Sequence, residues 1–180
     1  MSSSLERADE KVSPIHAQGF FYVGRNISYY IVFDYVDPEG YYKRVLSNSE
    51  LYHQEIARLY SGMKDSLREE EITINGIHVE PSIRLIDIGF RGVPNRVFIV
   101  YGISLDVELK SGINKYVNKY IAETIEYNYE VYWIFPPNSK IVSVDMGSYK
   151  WEILKTNVLA IYGKRGEKTP GYEEIVFELP

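Results

Sequence analysis

The chain contains no cysteine. This absence excludes disulfide bonds, thiolate nucleophiles and zinc clusters of the cysteine type, and it leaves the redox compartment undetermined. Histidine is also scarce: the three residues are His16, His53 and His78, and none has a partner at the spacing of metal ligands. We therefore predict neither a metal site nor a cofactor.

Long apolar runs and an excess of positive charge are also missing. The longest nearly continuous apolar run, 97–103, is far shorter than the roughly 20 residues that a membrane helix needs. With 20 basic and 25 acidic residues, the net charge of −5 gives no general attraction to phosphate backbones or anionic lipid. We predict no membrane-spanning segment and no nucleic-acid partner.

The N-terminal residues lack the apolar segment of a secretory signal peptide. We predict a mobile tail over residues 1–18, followed by a single β-rich domain over 19–180. Without a signal peptide the location is cytoplasmic by default, and it is extracytoplasmic if a leader or anchor was removed.

The composition is that of a folded domain, with 45% hydrophobic and 25% charged residues. Glutamine occurs only at Gln18 and Gln54, whereas Ile, Lys, Glu and Tyr are abundant, which is typical of thermophile proteins. The 17 tyrosines are well above the content of an ordinary soluble domain. Because tyrosine combines a large apolar ring with a polar tip, it suits strands, interfaces and sugar-binding faces alike.

Alternating apolar residues predict strands over 27–35 and 97–109. The sequence DPEG at 37–40 favours a type I turn, after which residues 41–46 could return as a hairpin partner. Asn75 and Gly76 can close a tight hairpin turn, because both tolerate positive φ. Further strand-like segments follow in the C-terminal third of the chain: IVSVDM, WEILKTNVLAIYG and EEIVFELP.

A helical period replaces the alternation after residue 47. Apolar residues recur at steps of three and four, at Tyr52, Ile56, Leu59, Met63 and Leu67. This spacing predicts an amphipathic helix over about 48–68, with Ser47 and Glu50 as its capping box. Residues 113–125 fit either a helix or a strand, and we predict a second helix there.

These patterns together indicate a mostly β (α+β) fold, an antiparallel two-layer β-sandwich. Strands and helices do not alternate along the chain, which argues against a doubly wound nucleotide-binding fold.

Aromatic residues occupy every second position from Tyr127 to Phe135, with polar residues between them as far as Glu130. Such a row mainly indicates a strand that faces the core. We expect Trp133 to contact the inward face of the 97–109 strand. Tyr132 lies on the opposite face, as do Tyr30 and Tyr42 in the first hairpin. These three tyrosines and Trp151 are the candidate binding residues.

Three functions remain open at this stage. The first is a non-enzymatic sandwich for protein binding or self-association, such as a cell-surface or structural subunit, because long strands have edges that accept another strand. The second is a carbohydrate-binding module that uses Trp133, Trp151 and the outward tyrosines. The third is a hydrolase whose acid and base are Asp106 and Glu108, aided by His78. Polar residues on the solvent face of a strand are expected in any case, which weakens the third hypothesis.

Overall fold

The computed structural model of the protein describes residues 11–180, which form two packed β-sheets and two helices. The helices are α1 (Tyr41–Leu46) and α2 (Ser49–Arg68). The strands are β1 (Ser13–Val23), β2 (Ile27–Val36), β3 (Glu71–Ile74), β4 (Ile77–His78), β5 (Pro81–Phe90), β6 (Arg96–Leu105), β7 (Gly112–Lys119), β8 (Tyr129–Ile134), β9 (Lys140–Asp145), β10 (Lys150–Lys155), β11 (Val158–Gly163) and β12 (Tyr172–Leu179). Within these residues, no helix is long and apolar enough to cross a bilayer.

The first sheet has seven strands in the order β10-β11-β8-β1-β2-β6-β5, and the second has five in the order β4-β3-β7-β12-β9. The mostly β, two-layer architecture predicted from the sequence is confirmed. One strand pair departs from the antiparallel pattern, because β1 pairs with β8 in parallel. This pair joins the start of the described chain to a strand more than a hundred residues later.

The core lies between the two sheets. Trp133 and Phe135 enter it from the first sheet, and the Phe135 ring lies 4.9 Å from the ring of Phe177 on β12. On β6 every inward residue from Val97 to Leu105 is buried, as predicted, but the strand ends at Leu105. Trp133 does not lie beside β6 as we expected, because β1 and β2 separate β8 from β6 in the sheet.

Helix α2 matches its predicted range closely, but its cap differs from the prediction. Asn48 is the N-cap, and its side-chain oxygen accepts hydrogen bonds from the amides of Glu50 (2.9 Å) and Leu51 (3.1 Å). The hydroxyl of Ser47 instead donates to the carbonyl of Lys43 at 2.7 Å. Asparagine at this position satisfies the amides of the first turn as well as a serine would.

Two segments have a secondary structure that differs from the predicted one. Residues 41–46 form a helix instead of a returning strand, because the Asp37 carboxylate accepts hydrogen bonds from the amides of Tyr41 (2.9 Å) and Tyr42 (2.8 Å). The predicted helix over 113–125 is wrong, since its first part belongs to β7. The aromatic and β-branched content of this segment suits a strand that other strands flank on both sides.

The boundary of the predicted tail is also corrected. Residues 13–18 belong to β1, which lies near the middle of the first sheet and pairs with β2 and β8. The inward residues at this end of β1 include Ala17 and Gly19, so hydrophobic alternation is weak and the strand was missed. Residues 1–10 of the predicted tail lie outside the described residues.

Candidate functional site

A cavity of about 380 Å³ lies between the two sheets, beside the last turns of α2. Strands β1, β2 and β8 contribute one wall, and β7 and β12 contribute the opposite one. Aromatic side chains dominate the lining, among them Phe21, Tyr29, Tyr116, Tyr129, Trp133 and Tyr149. Both the size and the apolar lining are those of sites that bind small molecules.

Small residues on β1 make room for the cavity. Successive inward positions of this strand carry Ala17, Gly19 and Phe21, so two of the three contribute almost no volume. A Cβ atom built on Gly19 would lie 3.2 Å from a methyl group of Val131, which shows how closely β8 approaches here. The Phe21 ring then closes the wall by stacking between Tyr29 (4.2 Å) and Trp133 (4.4 Å).

Two carboxylates face this aromatic enclosure. Glu70 lies between α2 and β3, where its Oε2 accepts a hydrogen bond from Asn118 Nδ2 at 2.9 Å. Glu173 lies on β12, where its Oε1 accepts from the Tyr120 hydroxyl at 2.8 Å. Asn118 and Glu173 are directly opposite each other on β7 and β12. Asn118 therefore binds Glu70 through its side chain and is the strand neighbour of Glu173.

The enclosure perturbs the ionisation of both carboxylates. Burial raises the pKa of Glu173 to about 7, an effect that the hydrogen bond from Tyr120 opposes and the nearby charge of Glu70 increases. Burial likewise raises the pKa of Glu70 against the hydrogen bond from Asn118. Burial and then the two carboxylates raise the pKa of Tyr116 well above its ordinary value. These groups thus share one region of low polarity.

The cavity presents hydrogen-bond acceptors and negative charge. Asn118 is only 6% exposed, and within residues 11–180 its Oδ1 atom has no hydrogen-bond partner. Of the described residues that line the cavity, none is Lys, Arg or His. Across the same part of the chain, no group of three or more acidic or histidine residues could hold a metal ion. A buried acceptor without a partner indicates a missing donor.

The residues of the hydrolase hypothesis lie elsewhere. Asp106 and Glu108 follow the end of β6 and are exposed, and the Asp106 carboxylate accepts from Arg84 Nη2 (2.5 Å) and Ser104 Oγ (3.0 Å). His78 lines a second, more polar groove of about 590 Å³, whose wall carries charged side chains of both signs, including Arg84. Neither Asp106 nor Glu108 is among the described residues that line the groove of His78.

The four predicted binding residues occupy three different environments. Tyr42 is not on the surface: it is 2% exposed, and its hydroxyl donates to Glu55 Oε1 at 2.8 Å. Trp151 is 40% exposed on β10, at the edge of the first sheet. Its ring shares a face with Ile161, opposite to the face that carries Tyr30 and Tyr132.

Tyr30 and Tyr132 do come together, with Phe20 between them. Phe20 pairs with Tyr30 across β2 and with Tyr132 across β8, and its ring stacks on Tyr132 at 5.7 Å. We call these three residues the outer aromatic row. Tyr30 is 43% exposed, so the row is accessible on the outer face of the first sheet.

The sequence reasoning missed the two carboxylates and Asn118. Glu173 lies on the same face of β12 as Ile175, Phe177 and Leu179. A carboxylate at a position of the apolar face was the sequence signal that could have identified it. Asn118 was missed because its segment was assigned to a helix. The row from Tyr127 to Trp133 contributes to the core and also lines the cavity. The pattern therefore indicates both a core-facing strand and a wall of the candidate site.

Comparison with known proteins assigns no family to this chain. No protein-family profile matches it, and no curated protein matches it. One solved structure with a distant likeness is a protein from Parabacteroides distasonis described as a "putative protease", with 7% sequence identity and a TM-score of 0.35. The match covers 95% of this chain and 41% of that protein, so this chain spans less than half of its length. A likeness this distant carries no argument about function.

Proposed function

We propose that this protein binds a small organic molecule in the cavity between its sheets. The observation that carries the proposal is the pair of enclosed carboxylates, Glu70 and Glu173, beside the unpaired Asn118 oxygen within aromatic walls. Burying ionisable and polar groups without full compensation destabilises a fold, so a core selected for stability alone would replace them with apolar side chains. A ligand supplies the missing compensation.

A binding role is favoured over catalysis by the groups present. Among the described lining residues there is no Cys, His or Lys to act as a nucleophile or base of the usual kind. The carboxylates are also held in place by Tyr120 and Asn118. Acid–base hydrolysis by this pair is the enzymatic alternative, and conversion of a bound compound into product would reveal it.

The test is an NMR screen of a fragment library against the wild-type protein and Ala17→Leu. The leucine side chain would project into the cavity from β1, so cavity ligands should lose at least about tenfold in affinity, a difference of about 1.4 kcal/mol. Tyr132→Phe on the outer face is the control and should bind like wild type. Fragments that bind Ala17→Leu as tightly as wild type would place binding outside the cavity.

A second candidate function is carbohydrate binding by the outer aromatic row. Three rings lie side by side across β2, β1 and β8, and the hydrogen-bonded pair Gln18 and Glu130 (2.7 Å) lies next to them. Flat aromatic faces with polar neighbours suit sugar rings. A glycan array with wild type and Tyr132→Ala tests this candidate, with Trp151→Ala as the control outside the row. Absence of any bound glycan, or equal binding by Tyr132→Ala, would contradict it.

Self-association stays a prediction, and the observation that favours it is the composition of edge strand β10. Trp151 is 40% exposed, Ile153 45% and Leu154 50%. An antiparallel pairing of two copies centred on Glu152 would place Trp151 of each opposite Ile153 of the other. Light scattering at high concentration should then detect a dimer that Ile153→Lys dissociates. A strict monomer would count against assembly through this edge.

A further inference from the structure

The cavity is lined by two carboxylates, Glu70 and Glu173, and by no basic side chain among its described residues. We infer that the cavity takes an organic cation: a protonated amine attached to an aromatic body. This inference rests on the proposed function and adds the chemical class of the ligand. It follows from three properties of the site: its free acceptors, its charge, and the shape of its walls.

The free polar atoms of the site are acceptors. Glu70 uses Oε2 for Asn118, and Glu173 uses Oε1 for Tyr120, so each carboxylate has a second oxygen beyond these bonds. The Oδ1 atom of Asn118, whose Nδ2 donates to Glu70 and whose backbone pairs with that of Glu173, is a third acceptor. An ammonium group has three N–H donors and no acceptor. It can therefore donate to more than one of these acceptors and needs no donor from the protein.

The charge of the cavity separates an amine from other donors. Glu70 and Glu173 both line it, and among the described lining residues there is no basic side chain. Glu130 also borders the cavity, but its carboxylate lies on the outer face of the sheet, where it accepts a hydrogen bond from Gln18 at 2.7 Å. A neutral alcohol or sugar could donate hydrogen bonds but would leave the enclosed negative charge uncompensated. An anion would be repelled.

The walls favour a flat body next to the ammonium. Trp133 stacks on Phe21 at 4.4 Å and meets the Tyr116 ring at 4.7 Å, edge to face. Aromatic walls of this kind pack well against a planar group. At about 30 Å³ for each water-sized atom, the cavity volume accommodates roughly a dozen heavy atoms. A phenyl ring on a two-carbon amine fits within that limit.

Calorimetric titration with three probes of equal shape tests the inference. The probes are 2-phenylethylamine, 2-phenylethanol and phenylacetate, titrated at pH 8 into the complete protein. We expect the amine to bind at least about tenfold more tightly than the alcohol, and phenylacetate to show no binding. Equal or tighter binding of the alcohol or of phenylacetate would overturn the inference, as would failure of the amine to bind.

Charge-removing variants locate the interaction. Glu173→Gln and Glu70→Gln should each weaken amine binding at least about tenfold and change alcohol binding by less than about threefold. Glu174→Gln is the matched control, because its carboxylate lies on the other face of β12 and binds Lys115 at 2.7 Å. If Glu173→Gln does not fold, the amine affinity of Glu70→Gln alone tests the inference. Amine binding that neither variant weakens would overturn the inference.

The two proposals fail in different ways. If library fragments bind in the cavity but the amine does not bind or shows no preference, the proposed function stands and the inference is wrong. If Ala17→Leu weakens no ligand at all, the cavity is not a binding site and both are wrong.

Discussion

Trp133 and Tyr132 are adjacent on β8 yet occupy opposite environments. Trp133 is 1% exposed, and its ring contacts Phe21, Tyr116 and Phe135. Tyr132 lies on the outer face, where its one ring neighbour in the described chain is Phe20. The free energy of unfolding should therefore depend strongly on the first residue and weakly on the second.

We expect Trp133→Ala to lower the free energy of unfolding by about 3–5 kcal/mol, because it removes a large aromatic from a packed interior. Tyr132→Ala should lower it by less than about 1 kcal/mol, since it removes one surface contact. Paired urea melts measure both values. A larger loss for Tyr132 in a monomeric protein would contradict the assignment of the faces of β8.

The ionisation of Glu173 should make stability depend on pH. Its pKa is raised from 4.5 in the unfolded chain to about 7 in the folded protein, in an environment that includes Glu70, Tyr116, Tyr120 and Tyr149. A raised folded pKa means that the stabilising contribution is complete below pH 4.5 and is lost as the pH rises through 7. The loss is up to about 3 kcal/mol, from 1.36 kcal/mol for each pKa unit.

Glu173→Gln should remove this decline. Urea melts at several pH values between about 4.5 and 8 should show the wild type losing stability relative to the variant as the pH rises. Glu174→Gln serves as the control. The hydrogen bond from Lys115 lowers the pKa of Glu174, so this substitution should not remove the decline in stability with rising pH. A constant difference between wild type and Glu173→Gln would contradict the prediction.

At the scale of elements, helix α1 is held against α2 by one buried carboxylate. Glu55 is 3% exposed and accepts four hydrogen bonds, from the hydroxyls of Tyr41 (2.9 Å) and Tyr42 (2.8 Å) and from Arg58 Nε (2.9 Å) and Nη2 (2.7 Å). Burial raises its pKa, but the hydrogen bonds outweigh burial, so the pKa is lowered. Such a short helix depends on contacts of this kind, because one or two turns are unstable alone.

We expect Glu55→Gln to cost about 2–3 kcal/mol at neutral pH, because an amide replaces a charged acceptor of four hydrogen bonds. A lowered folded pKa gives stability that is present at neutral pH and lost as the pH falls, so the difference from wild type should narrow in acid. Glu50→Gln is the control, because Glu50 lies on the exposed side of α2, the helix that also carries Glu55. Equal stabilities of the two variants would contradict the prediction.

The pairing of β11 with β8 depends on a glycine. Tyr129 lies over Gly163, its partner in the sheet, where an added Cβ would come within 2.3 Å of the Tyr129 ring. Gly163→Ala should therefore displace this ring from the cavity wall and cost about 1–3 kcal/mol. Gly62→Ala in α2 has open space around it and should instead stabilise by about 1 kcal/mol. Thermal melts of both variants would reveal any departure from these opposite signs.

At the scale of the whole molecule, the buried residues of both sheets and of the helices form one continuous cluster. Unfolding should therefore be a single cooperative transition. The two tryptophans allow a direct test, because Trp133 is 1% exposed and Trp151 is 40% exposed. In Trp151→Phe, fluorescence reports Trp133 alone, and its urea transition should coincide with that of far-UV circular dichroism. Separate midpoints would show that the layers unfold independently.

Much of this architecture was determined by local sequence patterns. The alternation of β2 and β6, the helical period of α2 and the Asn75–Gly76 turn all appear in the structure as predicted. Each depends on residues within a few positions of one another, since strand and helix periods are properties of a single segment. The inward orientation of Trp133 was determined in the same way.

Tertiary structure alone decided the rest. Residues 41–46 are held as a helix by the Glu55 carboxylate of α2, which binds Tyr41 and Tyr42, and β7 became a strand because β3 and β12 flank it. The cavity brings small residues of β1 together with Glu70 and Glu173, which are distant from β1 in the sequence. Local periodicity carries no information about which distant segments become neighbours, and a site assembled from such segments is determined by strand order.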